Sequence, residues 1–112
     1  MISVMEIWRL KPEFSAKAFE VMQEMDDLLG PNAHEHPGWS GHAYFYQSQD
    51  KAEEIVMIYS WRSREDHASL VEQEKPLLED FYAKYCSRPR QIFYYDELPV
   101  DVHDDEHDHA HH

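Results

Sequence analysis

A tryptophan and a histidine lie close together where an apolar segment of the chain gives way to a predicted helix start. Trp61 ends the apolar segment, and its ring could stack on a flat aromatic substrate or act as a core anchor at a strand end. A histidine that faces a pocket can act as a general base, because its unperturbed pKa is about 6.5. His67 is such a candidate, and the alternative for a first-turn histidine is a position in solvent. We assign Trp61 and His67 to a candidate catalytic site.

The predicted strands and helices carry several tyrosines, whose hydroxyl groups need hydrogen-bond partners wherever they are buried. In a pocket, such hydroxyls can bind or polarise a phenol or quinone substrate. We assign Tyr44 and Tyr59 to the candidate catalytic site on this ground. The alternative is that the tyrosines pack on strands and in a dimer seam. The residues concerned are Tyr44, Tyr46, Tyr59, Tyr82, Tyr94 and Tyr95.

Histidines in two parts of the chain are candidate metal ligands. Scattered surface histidines are the alternative for the first group, and a purification tag is the alternative for the group near the end of the chain. Three neutral imidazoles with an open coordination position suit zinc, copper or iron. Imidazoles that alternate with carboxylates can take up nickel, zinc or copper loosely. The candidates are His34, His36 and His42 near the second predicted strand, and His103, His107 and His109 near the end of the chain.

Four charged residues near the first and last predicted strands are candidates for a buried ion pair or an anion contact. Ion pairs along exposed strand edges are the alternative. The four residues are Glu6, Arg9, Arg88 and Arg90.

The composition of the 112-residue chain fits one packed domain over residues 1–99, followed by an acidic, His-rich tail over 100–112 that we expect to be disordered. The net charge of −13 makes nucleic acids and anionic membranes poor partners, because both need positive charge. A single cysteine, Cys86, excludes an internal disulfide and favours a reducing compartment. No signal peptide or transmembrane run is visible, so we expect a cytoplasmic protein.

Hydrophobic periodicity predicts the element order βαββαβ, which is the ferredoxin-like α+β plan with an antiparallel sheet and both helices on one face. Gly30 and Pro31 are expected to stop the first helix, and Pro76 to divide the second helical region. Ser63 is the predicted N-cap of that region, with Asp66 returning the bond as in a capping box. The predicted strands cover residues 2–10, 39–47, 53–61 and 91–98, and the predicted helices cover 15–29, 63–72 and 76–85.

The predicted sheet has apolar or aromatic side chains on both of its faces, whereas a sheet with one wet face alternates apolar and polar residues. The chain has no element left to cover the second face. We therefore expect a second copy to cover it, which gives a homodimeric α+β barrel; an irregular sheet with exposed aromatics or a higher oligomer is the alternative. The adjacent pairs that define the pattern are Ile7 and Trp8, Tyr44 and Phe45, and Phe93 and Tyr94.

Two short motifs give the chain a family resemblance. The first is Pro37-Gly38-Trp39-Ser40-Gly41 before the second strand, and the other is Tyr59-Ser60-Trp61-Arg62-Ser63 after the third. With these motifs the chain resembles the antibiotic biosynthesis monooxygenase family over about residues 2–98. The resemblance implies a dimeric α+β barrel. That family includes quinone-forming monooxygenases without a cofactor, haem-degrading enzymes and members without known function.

The resemblance implies a small homodimeric monooxygenase that oxidises a planar aromatic or polyketide-type substrate with O₂ and without an organic cofactor. Trp61 matches the pocket tryptophan of both enzyme branches. The asparagine that these branches place nearby is replaced by Met57 or Trp8. The haem-degrading branch also needs an axial histidine in the second helical region, and residues 76–85 contain none, so haem is not expected.

Two alternatives to this oxygenase remain open at the level of the sequence. One is a metal-dependent oxygenase or metal-binding protein that uses the histidines, with zinc, nickel, copper or iron as the metal. The other is a non-catalytic, stress-responsive barrel that binds a small ligand. We favour an enzyme over both.

Overall fold

Along the first strand, from Val4 to Leu10, side chains alternate between buried and half-buried positions, as expected for a strand with one face on the core. The computed structural model describes residues 1–36 and 38–103. The elements in chain order are β1 (Ile2–Leu10), a 3₁₀ helix (Pro12–Lys17), α1 (Ala18–His34), β2 (Trp39–Gln47), β3 (Glu54–Trp61), α2 (Arg64–Tyr85) and β4 (Cys86–Tyr95).

The strands form one antiparallel sheet in the order β2-β3-β1-β4. Together with the two helices, this confirms the predicted ferredoxin-like α+β fold. Strand β1 lies between β3 and β4, and its Glu6 is opposite Met57 on one side and Ile92 on the other. A side chain of β1 that faces the helices therefore lies at the centre of the fold.

The first helix runs further than the sequence predicts. Gly30 and Pro31 do not stop α1, which continues to His34. Ala33, in the extra turn, packs against the core cluster that contains Trp61. The predicted stop was wrong because this packing outweighs the local preference of a Gly-Pro pair to end a helix.

The second helical region is one helix, because α2 continues through Pro76. Leu70 and Leu78 are buried on either side of this proline, so the same face of α2 packs on the sheet along its length. Packing of this kind offsets the one backbone hydrogen bond that proline removes. No helix in the described part of the chain has the length and apolar composition needed to cross a membrane.

Strand β4 begins and ends earlier than the sequence predicts. It starts at Cys86, directly after α2, and ends at Tyr95. Cys86 is opposite Leu10 of β1, so the pairing of β4 with the central strand begins as soon as the helix ends. The polar residues at the start of β4 hid this pairing from an analysis based on hydrophobic runs.

The start of α2 is capped as predicted. The Ser63 side chain accepts a hydrogen bond from the backbone N–H of Asp66, at 3.1 Å. The predicted return bond of a capping box is not made, because the Asp66 carboxylate instead accepts a hydrogen bond from Nε of Arg62 at 2.6 Å.

The face of the sheet opposite the helices carries apolar and aromatic side chains that the described chain leaves uncovered. The strand pairing places Ile7 of β1 beside Val56 of β3 on this face. Four large aromatic side chains of the same face are between 38% and 56% exposed: Tyr44, Tyr46, Phe93 and Tyr95. Both faces of the sheet are therefore apolar.

Candidate active site

A cavity of about 550 Å³ lies between the helix-facing side of the sheet and α1. This volume is within the range of about 300–1,000 Å³ that is typical of small-molecule sites. Exposed lining residues such as Phe19 of α1 and Phe45 of β2 show that the cavity opens between these two elements. Most of its wall is apolar, with contributions that include Met22, Met25, Leu29, Phe45, Ile55 and Met57.

Three buried charged residues interrupt this apolar wall. The Arg90 guanidinium binds Oε1 of Glu6 at 3.0 Å through one terminal nitrogen and Oε1 of Glu74 at 2.7 Å through the other. All three side chains are at most 5% exposed, and all three residues line the cavity. They come from β1, α2 and β4, so the charged group joins three elements at one point.

Glu6 accepts further hydrogen bonds that fix its carboxylate. The Trp8 indole N–H donates to Oε1 at 3.0 Å, and the Tyr59 hydroxyl donates to Oε2. Together with Arg90, these donors hold both oxygens of a carboxylate that is only 1% exposed. A buried charge needs this degree of compensation because desolvation is costly.

Glu74 is held differently, because only one of its oxygens is occupied. Oε1 accepts from Arg90, and no described residue donates a hydrogen bond to Oε2. Burial raises the pKa of Glu74 above its ordinary value, the Arg90 charge opposes this shift, and the nearby Glu6 adds to it. The cavity is therefore lined by a buried carboxylate with a free oxygen and more than ordinary basicity.

His67 is buried behind the cavity wall, so the alternative interpretation of a solvent position is wrong. Its Nε2 lies 2.6 Å from the Tyr59 hydroxyl, and its Nδ1 lies 2.9 Å from the Tyr94 hydroxyl. Because Tyr59 donates its proton to Glu6, Nε2–H donates to Tyr59 and Nδ1 accepts from Tyr94. Burial lowers the pKa of His67 to about 4, so the ring is neutral at pH 7. With both nitrogens engaged, His67 is not placed to ligate a metal.

The structure brings together three of the four residues predicted to be catalytic. Trp61 and Tyr59 line the cavity, and the His67 ring centre is 5.5 Å from that of Trp61. Tyr44 lies on the opposite, open face of the sheet and is 55% exposed. It is not among the cavity-lining residues, because strand alternation places its neighbour Phe45 on the cavity side.

The predicted metal ligands are separated in the structure. His34 lines the cavity from α1, the His42 ring contacts the Tyr44 hydroxyl at 3.3 Å, and Nδ1 of His36 accepts a hydrogen bond from the Gly38 backbone at 3.0 Å. In residues 1–36 and 38–103, no group of three or more His, Cys, Asp or Glu side chains is arranged to hold a metal ion. His103 is exposed. His107 and His109 lie outside the described residues.

Three members of the site were missed or only partly predicted. Glu6 and Arg90 were candidates for a buried ion pair, and the structure confirms that pair. Glu74 was missed, although it sits between Leu70 and Leu78 at four-residue spacing, on the apolar face of α2. An acid within an apolar helical stripe was the available signal.

Gly38 is the residue of the first family-like motif that contacts the site. A Cβ atom built on Gly38 would stand 2.8 Å from ring carbons of Trp61 and closer still to Nε1. These separations are shorter than van der Waals contact, so only glycine lets the backbone pass the indole ring this closely. The two motifs therefore form one packing unit.

We expect Gly38→Ala to displace the Trp61 ring and to destabilise the protein by roughly 1–3 kcal/mol, as overpacking in a core does. Urea unfolding followed by tryptophan fluorescence measures both effects. Gly30→Ala is the matched control, because a Cβ there meets only the Asp26 carboxyl group at 3.7 Å or beyond. Equal stability of the two variants would show that the ring is not confined by Gly38.

The depressed pKa of His67 predicts a loss of stability in mild acid. The unfolded state binds more protons than the folded state between the folded pKa of about 4 and the unfolded value of about 6.5. The free energy of unfolding therefore falls as the pH drops from about 6.5 towards 4, by at most roughly 3 kcal/mol from this group. Urea titrations across this range should show a smaller loss in His67→Gln than in the wild type. Equal losses would contradict a neutral, buried imidazole.

Comparisons with known proteins support the fold of this chain but do not show its activity. No family model matches the chain, and no curated protein matches it either. Among solved structures, it is similar to a monooxygenase from the gene ActVA-Orf6 of Streptomyces coelicolor in complex with nanaomycin D, with a TM-score of 0.69, 12% identity and 92% of each chain covered.

Two further structures give the same result. A structure described as an antibiotic biosynthesis monooxygenase has a TM-score of 0.63 and 18% identity, covering 88% of this chain and 100% of its own. The NE2512 protein of unknown function from Nitrosomonas europaea has a TM-score of 0.64 and 13% identity, covering 90% and 92%. The chain therefore has the fold of the antibiotic biosynthesis monooxygenases.

Proposed function

We propose that the protein is an oxygenase that oxidises a planar, hydroxylated aromatic compound with O₂ in this cavity. The observation that carries the proposal is the buried Glu74, which offers a free carboxylate oxygen to a mostly apolar cavity. An apolar cavity of this size suits a molecule of several fused rings, and a base within it suits a phenolic hydroxyl. The similar fold of a monooxygenase bound to nanaomycin D is consistent with this substrate class.

The base in this proposal is Glu74. Its raised pKa makes it a better proton acceptor than an exposed glutamate, and Arg90 beside it can stabilise the phenolate that forms. The substrate O–H bond breaks and its proton moves to Oε2 of Glu74. Trp61 contributes an aromatic wall to the cavity, and Tyr59 keeps Glu6 in place.

The redox step needs no reductant other than the substrate. The phenolate gives one electron to O₂, and the resulting superoxide and substrate radical combine at a ring carbon to form a peroxide anion. This anion takes the proton back from Glu74 and becomes a hydroperoxide. The hydroperoxide then loses water and leaves a carbonyl group. At an activated CH₂ position the sum is CH₂ + O₂ → C=O + H₂O, in which carbon loses the four electrons that the two oxygen atoms gain.

The proposal includes a homodimer formed through the open face of the sheet. This face carries apolar side chains at its centre, with Ile58 of β3 between Met5 and Tyr44 on the neighbouring strands. A large exposed apolar face is typical of an interface. A second copy offers the same apolar surface for this face to pack against, whereas water leaves its apolar side chains unburied.

Oxygen uptake with a hydroxyanthrone and a dihydroxynaphthalene tests the reaction. We expect Glu74→Gln to lower kcat by on the order of 100-fold, because a general base is lost while the amide oxygen can still accept from Arg90. Glu54→Gln is the matched control, since Glu54 pairs with Arg9 on the opposite face of the sheet. Full activity in Glu74→Gln would reject Glu74 as the base. Tight binding without oxygen uptake by the wild type would instead identify a ligand-binding barrel.

Sedimentation velocity tests the dimer. We expect Ile58→Glu to give monomers, because it places a charge at the centre of the proposed interface. Leu77→Glu is the control, since Leu77 is an exposed residue on the outer side of α2. A wild type that sediments as a monomer, or an Ile58→Glu variant that remains a dimer, would show that another surface or none is used.

A further inference from the structure

A continuous chain of hydrogen bonds leads from the cavity to the half-buried hydroxyl of Tyr94. Tyr59 donates to Glu6, and both residues line the cavity. His67 connects Tyr59, at 2.6 Å from Nε2, with Tyr94, at 2.9 Å from Nδ1. The chain crosses from β1 and β3 through α2 to β4, with no gap longer than a hydrogen bond.

Each member of this chain can both accept and donate a proton. A carboxyl group, two phenol hydroxyls and an imidazole all have this property, whereas an arginine does not. In the arrangement derived above, every proton points inward: Tyr94 to His67, His67 to Tyr59, and Tyr59 to Glu6. The mirror arrangement, in which every proton points outward, uses the same groups with Glu6 protonated and with the other tautomer of His67.

We propose that Glu6, Tyr59, His67 and Tyr94 form a proton relay that connects the carboxylates of the cavity with solvent while a substrate fills the cavity. The inference rests on the proposed function, because it assigns the relay to the oxygenase reaction. Passing from one arrangement to the other moves one proton between Glu6 and the solvent side of Tyr94. In each step one O–H or N–H bond breaks and another forms, so the relay needs no oxidant or reductant.

The relay reaches Glu74 across the cavity, because the shared arginine holds Glu74 close to Glu6. Arg90 holds Glu6 and Glu74 on its two terminal nitrogens, and both carboxylates line the same cavity. A substrate hydroxyl or a water molecule that contacts both can pass a proton between them. A planar substrate that occupies the mouth between α1 and β2 separates these carboxylates from bulk water, and the relay then remains as a path.

The outer end of the relay has the features of an outlet. Tyr94 is half-buried, whereas His67 is fully buried. The guanidinium carbon of Arg64 lies 4.7 Å from the centre of the Tyr94 ring, so a positive charge is present where a transient phenolate would form. A purely structural hydrogen bond to His67 does not require a half-buried partner beside a positive charge.

Exchange of the His67 ring N–H proton with water, measured by NMR on the ¹⁵N-labelled protein, tests the relay without any substrate. We expect this exchange to slow by about tenfold or more in Tyr94→Phe, because the outermost step is lost while the ring still packs. Tyr95→Phe is the matched control, since Tyr95 is the next residue of β4 and lies on the opposite face. Equal exchange rates in the two variants would overturn the relay.

Oxygen uptake by the same variants tests whether the reaction uses the relay. We expect Tyr94→Phe to lower kcat and to alter its solvent isotope effect with little change in KM, and Tyr95→Phe to change neither. Slowed exchange with an unchanged kcat would overturn the assignment of the relay to the reaction. Slowed exchange in a protein that takes up no oxygen would support the relay as a proton path and reject the proposed oxygenase.

Discussion

The structure depends on one buried interaction, the contact of Arg90 with Glu6 and Glu74. A buried charge without a partner is costly, and removing one member of a buried ion pair typically costs about 3–5 kcal/mol. The three residues must therefore come into contact when the chain folds, and they lie on β4, β1 and α2. This requirement fixes the position of α2 against the centre of the sheet.

The same interaction determines the protonation of the site. Glu6 with Arg90 offers Tyr59 a charged acceptor, and once Tyr59 donates in that direction the tautomer of the neighbouring His67 is fixed. Burial keeps that imidazole neutral. One arginine thus orders a series of hydrogen bonds that extends through four elements. Each group that donates to its neighbour obliges the group on its other side to donate to it in turn.

Much of the fold could be predicted from the sequence, because strand alternation and the Ser63 cap are local signals. The ends of the helices could not, since Pro31 and Pro76 are accommodated by packing that only the assembled core provides. The aromatic part of the site, Trp61 with Tyr59 and His67, was predicted from residue type near a strand end. The carboxylate pair was not predicted as a unit, because Glu6 and Glu74 are distant in the chain and meet only through Arg90.

The methionines of the cavity wall have a consequence for how the protein could change. The buried charged groups of the cavity lie on the sheet and on α2, whereas Met22 and Met25 of α1 form part of the opposite wall. Methionine side chains are unbranched and adapt to irregular shapes. One wall of the cavity therefore carries hydrogen-bonded charged groups, whereas the opposite wall consists of side chains that can adapt their shape. Substitutions on α1 can reshape the cavity during evolution or engineering, while the buried charged groups keep their positions.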